Sequence, residues 1–436
     1  MSVEPLSDGE RRSLLGWIRD LFAGPLLGGN GVPRAEIGSR STEDLLPELA
    51  DWAPLLAAAG STELALSQAE RAIVLLRQRP VLRGLKTRFT LGRLATLLRA
   101  LGASHLQDYA EILLGFVQLH EVTRDPLPLA WARELAALLD RLFGTRHGLA
   151  SLRLAVKLPA YEPLSGILVE ALFDLARLSG DGATQALARR TLDPFLDNPT
   201  FLSTGLWPAF VAPSPRARPL PLPAARRIDL AKANTAMGSA LLAAYVATGE
   251  ARYREALTRL LTVGLAHLDA GGALHNLAFV TGGGRRVVEQ AIVSSSNHAV
   301  AELLLDAHAA IADPALLQRA IAISRFWRDR IHGVTGLMPD VVGRPDSFVD
   351  GNTDFAVIFW RLGRITGDAS WRAASEGLVQ AVARWHRADL GLVRRTDAAT
   401  GAVLDPVIET RYTSLFLKPL LCLGPDPVPA TLLRDR

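Results

Sequence analysis

The sequence predicts an all-α protein: an (α/α)6 toroid or incomplete barrel of helical hairpins, with long loops at one mouth. Three observations predict it. Apolar residues make up 49% of the 436 positions; Leu and Ala dominate them, which suits a large helical core. Apolar positions recur at three- and four-residue spacings along most of the chain, the period of a helix with a buried face. A unit of helix, tight turn and second helix then repeats about every 60 residues, as in a stacked hairpin array.

Taken in order, residues 1–60 are expected to form an N-terminal helix and loop extension, with a Gly-rich loop at Gly24–Arg40. Residues 61–436 are expected to form one toroid domain. The expected inner helices are Arg88–Leu101, Leu164–Leu178, Ala231–Val246, Ser296–Ile311, Thr353–Ile365 and Thr413–Leu423. Their outer partners are Thr62–Gln78, a stretch within Leu106–Phe143, Gly182–Arg190, Tyr253–Leu268, Pro314–Ile331 and Ala369–His386. Met237, Leu241, Leu242 and Tyr245 illustrate the spacing. The turn Thr248-Gly249-Glu250 is nearly copied by Thr366-Gly367-Asp368, and Gly after the last helical residue is the expected stop. The starts align on Asn234-Thr235, Asn297-His298, Asn352-Thr353 and Tyr412-Thr413, spaced 63, 55 and 60 residues apart. An open array would leave two apolar ends, whereas a ring leaves none. Asp193–Ala224, Pro-rich with Phe201, Trp207 and Phe210, reads as an ordered loop over one mouth. Ala273–Val288 and Val334–Val349 read as short strands or hairpins between helices.

Composition narrows the function classes. The formal charge is +4 without a Lys/Arg run, which argues against nucleic-acid binding. Arg216, Arg218, Arg226 and Arg227 read as a solvated loop. A single cysteine, Cys422, allows no disulfide within the chain. Met1–Asp20 lacks the apolar core of a secretory signal and no segment has the length of a membrane span, so the expected location is the cytoplasm. With no His-Glu-x-x-His or Cys cluster, neither metal nor cofactor is expected. Gly282-Gly283-Gly284-Arg285-Arg286 lacks the Lys-Ser/Thr of a phosphate loop and reads as a turn.

In a ring of hairpins the inner helices begin at one mouth, so polar residues at those starts should converge. The third start carries Asp229, Lys232 and Asn234. The fourth carries Ser295, Ser296, Asn297 and His298. The fifth carries Asp346, Asp350, Asn352 and Asp354, and the sixth Glu409, Arg411 and Tyr412. Asn, Ser, Thr and Asp there are natural helix caps; His298, Arg411 and Tyr412 are poor caps, which points to chemistry.

The hairpin array from Thr62 to Leu423 resembles the six-hairpin toroid superfamily of carbohydrate-active enzymes. The stretch Asn297-His298-x-x-x-Glu302 is similar to one on inner helices of toroidal uronate-polysaccharide lyases of the heparinase and alginate-lyase kinds. That resemblance implies an anionic saccharide and removal of the C5 proton, by a lyase or an epimerase. Asn297 and Arg411 would neutralise the uronate carboxylate, His298 would be the base and Tyr412 the acid or second base, with Lys232 or Arg285 binding charge. A rival arrangement is hydrolysis by paired carboxylates among Asp350, Asp354, Asp229 and Glu409, with Trp207, Phe348 or Trp360 stacking on sugar rings. A non-catalytic scaffold or partner subunit is the third alternative. The candidate catalytic residues are thus His298, Tyr412, Asp350 and Glu409. The candidate substrate contacts are Asn297, Arg411, Asp229, Lys232, Asn234, Arg285, Asn352, Asp354 and Trp207.

Overall fold

A computed structural model describes residues 6–37, 46–78, 104–153, 157–158, 161–208, 211, 227–229, 233–280 and 286–433. The inner helix expected at Arg88–Leu101 lies outside them. Helix α1 (Asp8–Ala23) and a 3-10 turn (Leu46–Asp51) precede six helical hairpins among the described residues. These are α2 (Ala53–Ala58) with α3 (Thr62–Gln78), α4 (Gln107–Thr123) with α5 (Pro126–Phe143), and α6 (Gly166–Ser179) with α7 (Gly182–Leu196). After the short α8 (Pro199–Thr204) come α9 (Thr235–Thr248) with α10 (Ala251–Arg259), α11 (Ser294–Ile311) with α12 (Pro314–Arg328), and α13 (Val349–Thr366) with α14 (Ala369–Trp385). The chain ends with α15 (Thr410–Leu415) and α16 (Leu417–Cys422).

Burial separates the two layers. Ile112, Leu113 and Leu114 of α4 are all fully buried, so this helix is surrounded on every side. On α14 the buried residues are Trp371, Ser375, Leu378, Val379, Ala381 and Val382, a single stripe facing the inner layer, as an outer helix requires. The inner neighbours run α2, α4, α6, α9, α11, α13 and α16, and α16 returns to α2. The array is therefore closed, a toroid, as the period predicted.

The stretch Leu106–Phe143 is a complete hairpin, not an outer partner alone. No glycine marks its turn. Arg124 takes the left-handed conformation (φ 61°), Asp125 caps α5 by accepting from the Leu127 N–H, and Pro126 occupies the first helical position. A left-handed arginine leaves no composition signal. The N-terminal residues join the same core: Phe22 and Trp52 are both fully buried and stack at 6.4 Å. At one inner crossing, α6 approaches α9 so closely that a Cβ on Gly166 would overlap the Ala236 carbonyl; only glycine fits there.

Short strands lie between the helices, at both places where they were expected. Strands β1 (Glu36–Ile37), β2 (Arg227–Asp229), β3 (Leu277–Val280), β4 (Arg286–Val288), β5 (Asp346–Phe348), β6 (Gly391–Asp397) and β7 (Val403–Glu409) form two antiparallel sheets. One is ordered β2-β3-β4. The other runs β1-β7-β6-β5, with Glu36 opposite Glu409, Val393 opposite Ile408 and Ser347 opposite Thr396. Strand β5 leads directly into α13 and β7 directly into α15, so this sheet sets where both helices begin.

His386 pins α14 to that sheet. It is fully buried, with Nδ1 3.0 Å from the Val393 carbonyl oxygen and Nε2 3.0 Å from the Thr396 hydroxyl. Burial pushes its pKa down to about 4 from 6.5. A histidine with a depressed folded value contributes stability at pH above 6.5 and loses it as pH falls toward 4, because the unfolded chain takes up a proton the folded chain refuses. We expect about 3 kcal/mol to be lost over that window through this group. The measurement is urea unfolding of wild type and His386→Gln at several pH values: the difference between them should change with that slope, and a pH-independent difference would exclude it.

Candidate active site

The starts of α11, α13 and α15 meet at one mouth together with the 3-10 turn. On α11, His298 is buried with Nε2 3.4 Å from Asp354 Oδ2 of α13, the two side chains 7% and 3% exposed. The edge of Phe355 holds the imidazole from the side (centroids 6.3 Å apart, 85° between planes). One turn before Asp354 on the same helix is Asp350, half-buried, whose Oδ1 accepts the Gly351 N–H at 2.9 Å. Burial raises its pKa, Asp340 raises it further, and Arg411 and His298 oppose both. Asp340 lies in the loop before β5, and its Oδ1 accepts the Ser294 hydroxyl at 2.6 Å. Burial raises its pKa too, against that hydrogen bond.

At the end of β7, Glu409 is raised by burial, while Arg394, at 2.9 Å, draws it back toward the carboxylate. Tyr412 is buried, and its pKa is driven well above 10 by burial first and then by Asp350 and Glu409. Its hydroxyl therefore holds its proton more firmly than an ordinary phenol does. Arg411 places Nε 2.8 Å from Oδ2 of the buried Asp51. The result is a tyrosine hydroxyl under the influence of two half-buried carboxyl groups, Asp350 and Glu409, both biased toward the protonated form and both reaching solvent. Such groups hold a proton to higher pH than an ordinary carboxyl does.

Six predicted residues thus come together: His298, Asp350, Asp354, Glu409, Arg411 and Tyr412. Asp354 does so as the buried partner of His298, not as the substrate contact expected. Others are corrected by their bonding. Asn297 accepts the Leu274 N–H at 2.8 Å and donates to the carbonyls of Leu274 and Val293, both at 2.9 Å. Asn352 accepts the Met338 N–H at 2.9 Å and donates to Met338, Ser347 and Phe348 oxygens. Asn234 grips the N–H and carbonyl of Trp207 in the same manner. Each amide grips both the N–H and the carbonyl of one residue of the preceding loop, so the Asn297 amide is already engaged by backbone.

Nor are Asn352 and Thr353 caps, since Phe348 holds the N-cap position of α13. Trp207 is fully buried, stacked on Phe201 at 3.9 Å, and its Nε1 donates to the Phe195 carbonyl; it presents no face to a sugar. Asp229 sits on β2 opposite Leu277, and its side chain lies outside the described residues, as do Lys232 and Arg285 entirely.

Sequence reasoning passed over Asp340, Asp51 and Arg394. Asp51 had a readable sign, a lone charge entering the apolar run Trp52–Ala59. Asp340 and Arg394 had none: a loop contact with Ser294 brings the first to the mouth, and strand pairing brings the second. Among the described residues no helix is long and apolar enough to cross a membrane.

No family model and no curated protein matches the chain. Solved structures do. An alpha-1,2-mannosidase from Trichoderma reesei superposes with a TM-score of 0.68 at 12% identity, covering 97% of this chain and 95% of that one. A D-mannose isomerase gives 0.58 at 15% identity over 73% of this chain and 87% of that one. An inactive variant of an alpha-1,6-mannanase from Salegentibacter gives 0.54 at 10% identity over 95% and 99%. The chain thus has the (α/α)6 toroid fold that these solved structures share.

Proposed function

We propose that the protein is a glycoside hydrolase acting on a neutral saccharide at the mouth formed by Asp350, Glu409, Arg411 and Tyr412. The observation that carries this reading is the pair of half-buried carboxyl groups, Asp350 and Glu409, both shifted toward the protonated form around the Tyr412 hydroxyl. Hydrolysis needs one carboxylic acid to protonate the leaving oxygen and one carboxylate on the other side of the bond. Asp350, raised by its neighbour Asp340, suits the acid; Glu409, drawn back by Arg394, suits the carboxylate. A neutral substrate is favoured over the anionic one first expected. The four carboxyl groups of Asp51, Asp340, Asp350 and Glu409 outnumber the guanidinium groups set against them, those of Arg344, Arg394 and Arg411 among the described residues, and Asn297 is spent on the Leu274 loop. An enzyme of this kind is also consistent with the mannosidase and mannanase among the similar structures.

The test is incubation with α-1,2-mannobiose, α-1,6-mannotriose and a uronate polymer. New reducing ends from a neutral substrate, without ultraviolet absorbance from an unsaturated uronate, are expected. That absorbance alone would replace hydrolysis by elimination.

One observation favours a second reading, epimerisation or elimination by proton abstraction. The carboxylate of Asp354 orients His298 as it would orient a catalytic base. Solvent deuterium entering a sugar in the presence of wild type, and absent with His298→Ala, would establish it.

A further inference from the structure

The N-terminal segment flanks the last inner helix on two sides. Strand β1 pairs with β7, setting Glu36 opposite Glu409, and the Thr410 N–H donates to the Ala35 carbonyl at 3.0 Å. The guanidinium of Arg394 lies 2.9 Å from Glu409 and 3.7 Å from Glu36. From the other side, the 3-10 turn delivers Asp51, 3% exposed, to Arg411. Arg411 keeps 28% of its side chain exposed at the mouth, and its charge reaches Asp350, Glu409 and Tyr412. A long arginine at a rim has many rotamers; a buried carboxylate at 2.8 Å selects one.

We infer that Asp51 is a positioning residue for substrate: it fixes Arg411 so that the guanidinium meets a sugar hydroxyl in the subsite beside Asp350. This rests on the reading of the mouth as a saccharide site, but not on the bond being hydrolysed. Arg411 is the binding group and Asp51 acts through it. An asparagine at 51 keeps the size and one acceptor but loses the charge, so Arg411 should leave its rotamer. Ground-state binding should then suffer more than the chemical step, because no reacting atom is touched.

The experiment measures the Kd of α-1,6-mannotriose by calorimetry and, where cleavage occurs, KM and kcat, for wild type, Asp51→Asn, Asp51→Glu, Arg411→Gln and the double variant Asp51→Asn/Arg411→Gln. Asp51→Asn and Arg411→Gln should each raise Kd by about tenfold or more, the loss of one charged contact between the Arg411 guanidinium and a sugar hydroxyl. The double variant should be no worse than Arg411→Gln alone, and kcat of Asp51→Asn should move by less than about threefold. Thermal midpoints accompany each measurement. A lowered midpoint with unchanged Kd in Asp51→Asn, or additive effects in the double variant, would overturn the inference. Binding without cleavage would remove hydrolysis and leave the inference standing on Kd; failure of wild type to bind the trisaccharide would overturn the inference.

Discussion

Asp350→Asn is expected to lower hydrolytic turnover by about 10²–10⁴-fold, the usual contribution of a general acid, while raising the thermal midpoint. Both effects have one cause. Burial and the nearby Asp340 make the charged form of Asp350 unfavourable in the folded protein. A carboxyl with a raised folded pKa binds its proton more tightly when folded than when unfolded. Stability therefore falls as pH rises above the ordinary carboxylate range. Asparagine fills the same space without a charge, so the folded state gains at neutral pH, yet it has no proton to give to a leaving oxygen. Turnover on α-1,2-mannobiose and calorimetric unfolding at pH 5 and 8 check the two halves. The gain should be larger at pH 8. A variant that keeps activity would remove Asp350 from the mechanism, and one less stable than wild type would contradict the electrostatic account.

Asn352→Ala is expected to destabilise the fold by roughly 3–5 kcal/mol while making no contact with substrate. The side chain, 1% exposed, holds the Met338 N–H and carbonyl, the Ser347 hydroxyl and the Phe348 carbonyl. Alanine leaves those groups buried and unmatched, at about 1–3 kcal/mol for each that water cannot reach. Asn352→Asp should be no better, since a carboxylate accepts from the Met338 N–H but has no N–H to give the oxygens around it. The check is the urea midpoint of each variant. A change below about 1 kcal/mol would mean the loop holds its position without this amide.

Much of the ring was legible before any coordinates. From Leu164 onward each hairpin has an apolar stripe of helical period and most have a marked turn, as at Gly249 and Gly367. These are local signals. The hairpin of α4 and α5 was obscured because Arg124 makes a turn that glycine usually makes. The small polar residues at the starts were legible as a repeat, read as helix caps and in part as substrate contacts. In sequence, an asparagine that grips a backbone looks the same as one that awaits a sugar. The difference lies in a loop residue far upstream, which no local pattern reports. His298, Arg411 and Tyr412 stood out because they are poor caps, and they do meet. Asp340 arrives through a loop contact and Arg394 through strand pairing, and neither left a trace.

The recurring grip has a consequence for how such a rim can diversify. Trp207, Leu274 and Met338 are seized 27, 23 and 14 positions before Asn234, Asn297 and Asn352, and Leu392 donates to the Thr413 hydroxyl 21 positions ahead. The anchor is constant while the span varies nearly twofold. Residues may thus be inserted or deleted between a grip point and the helix it serves without altering the geometry of the inner layer. Selection for a new ligand can act on the connecting segments alone, and the packed cylinder beneath tolerates each trial.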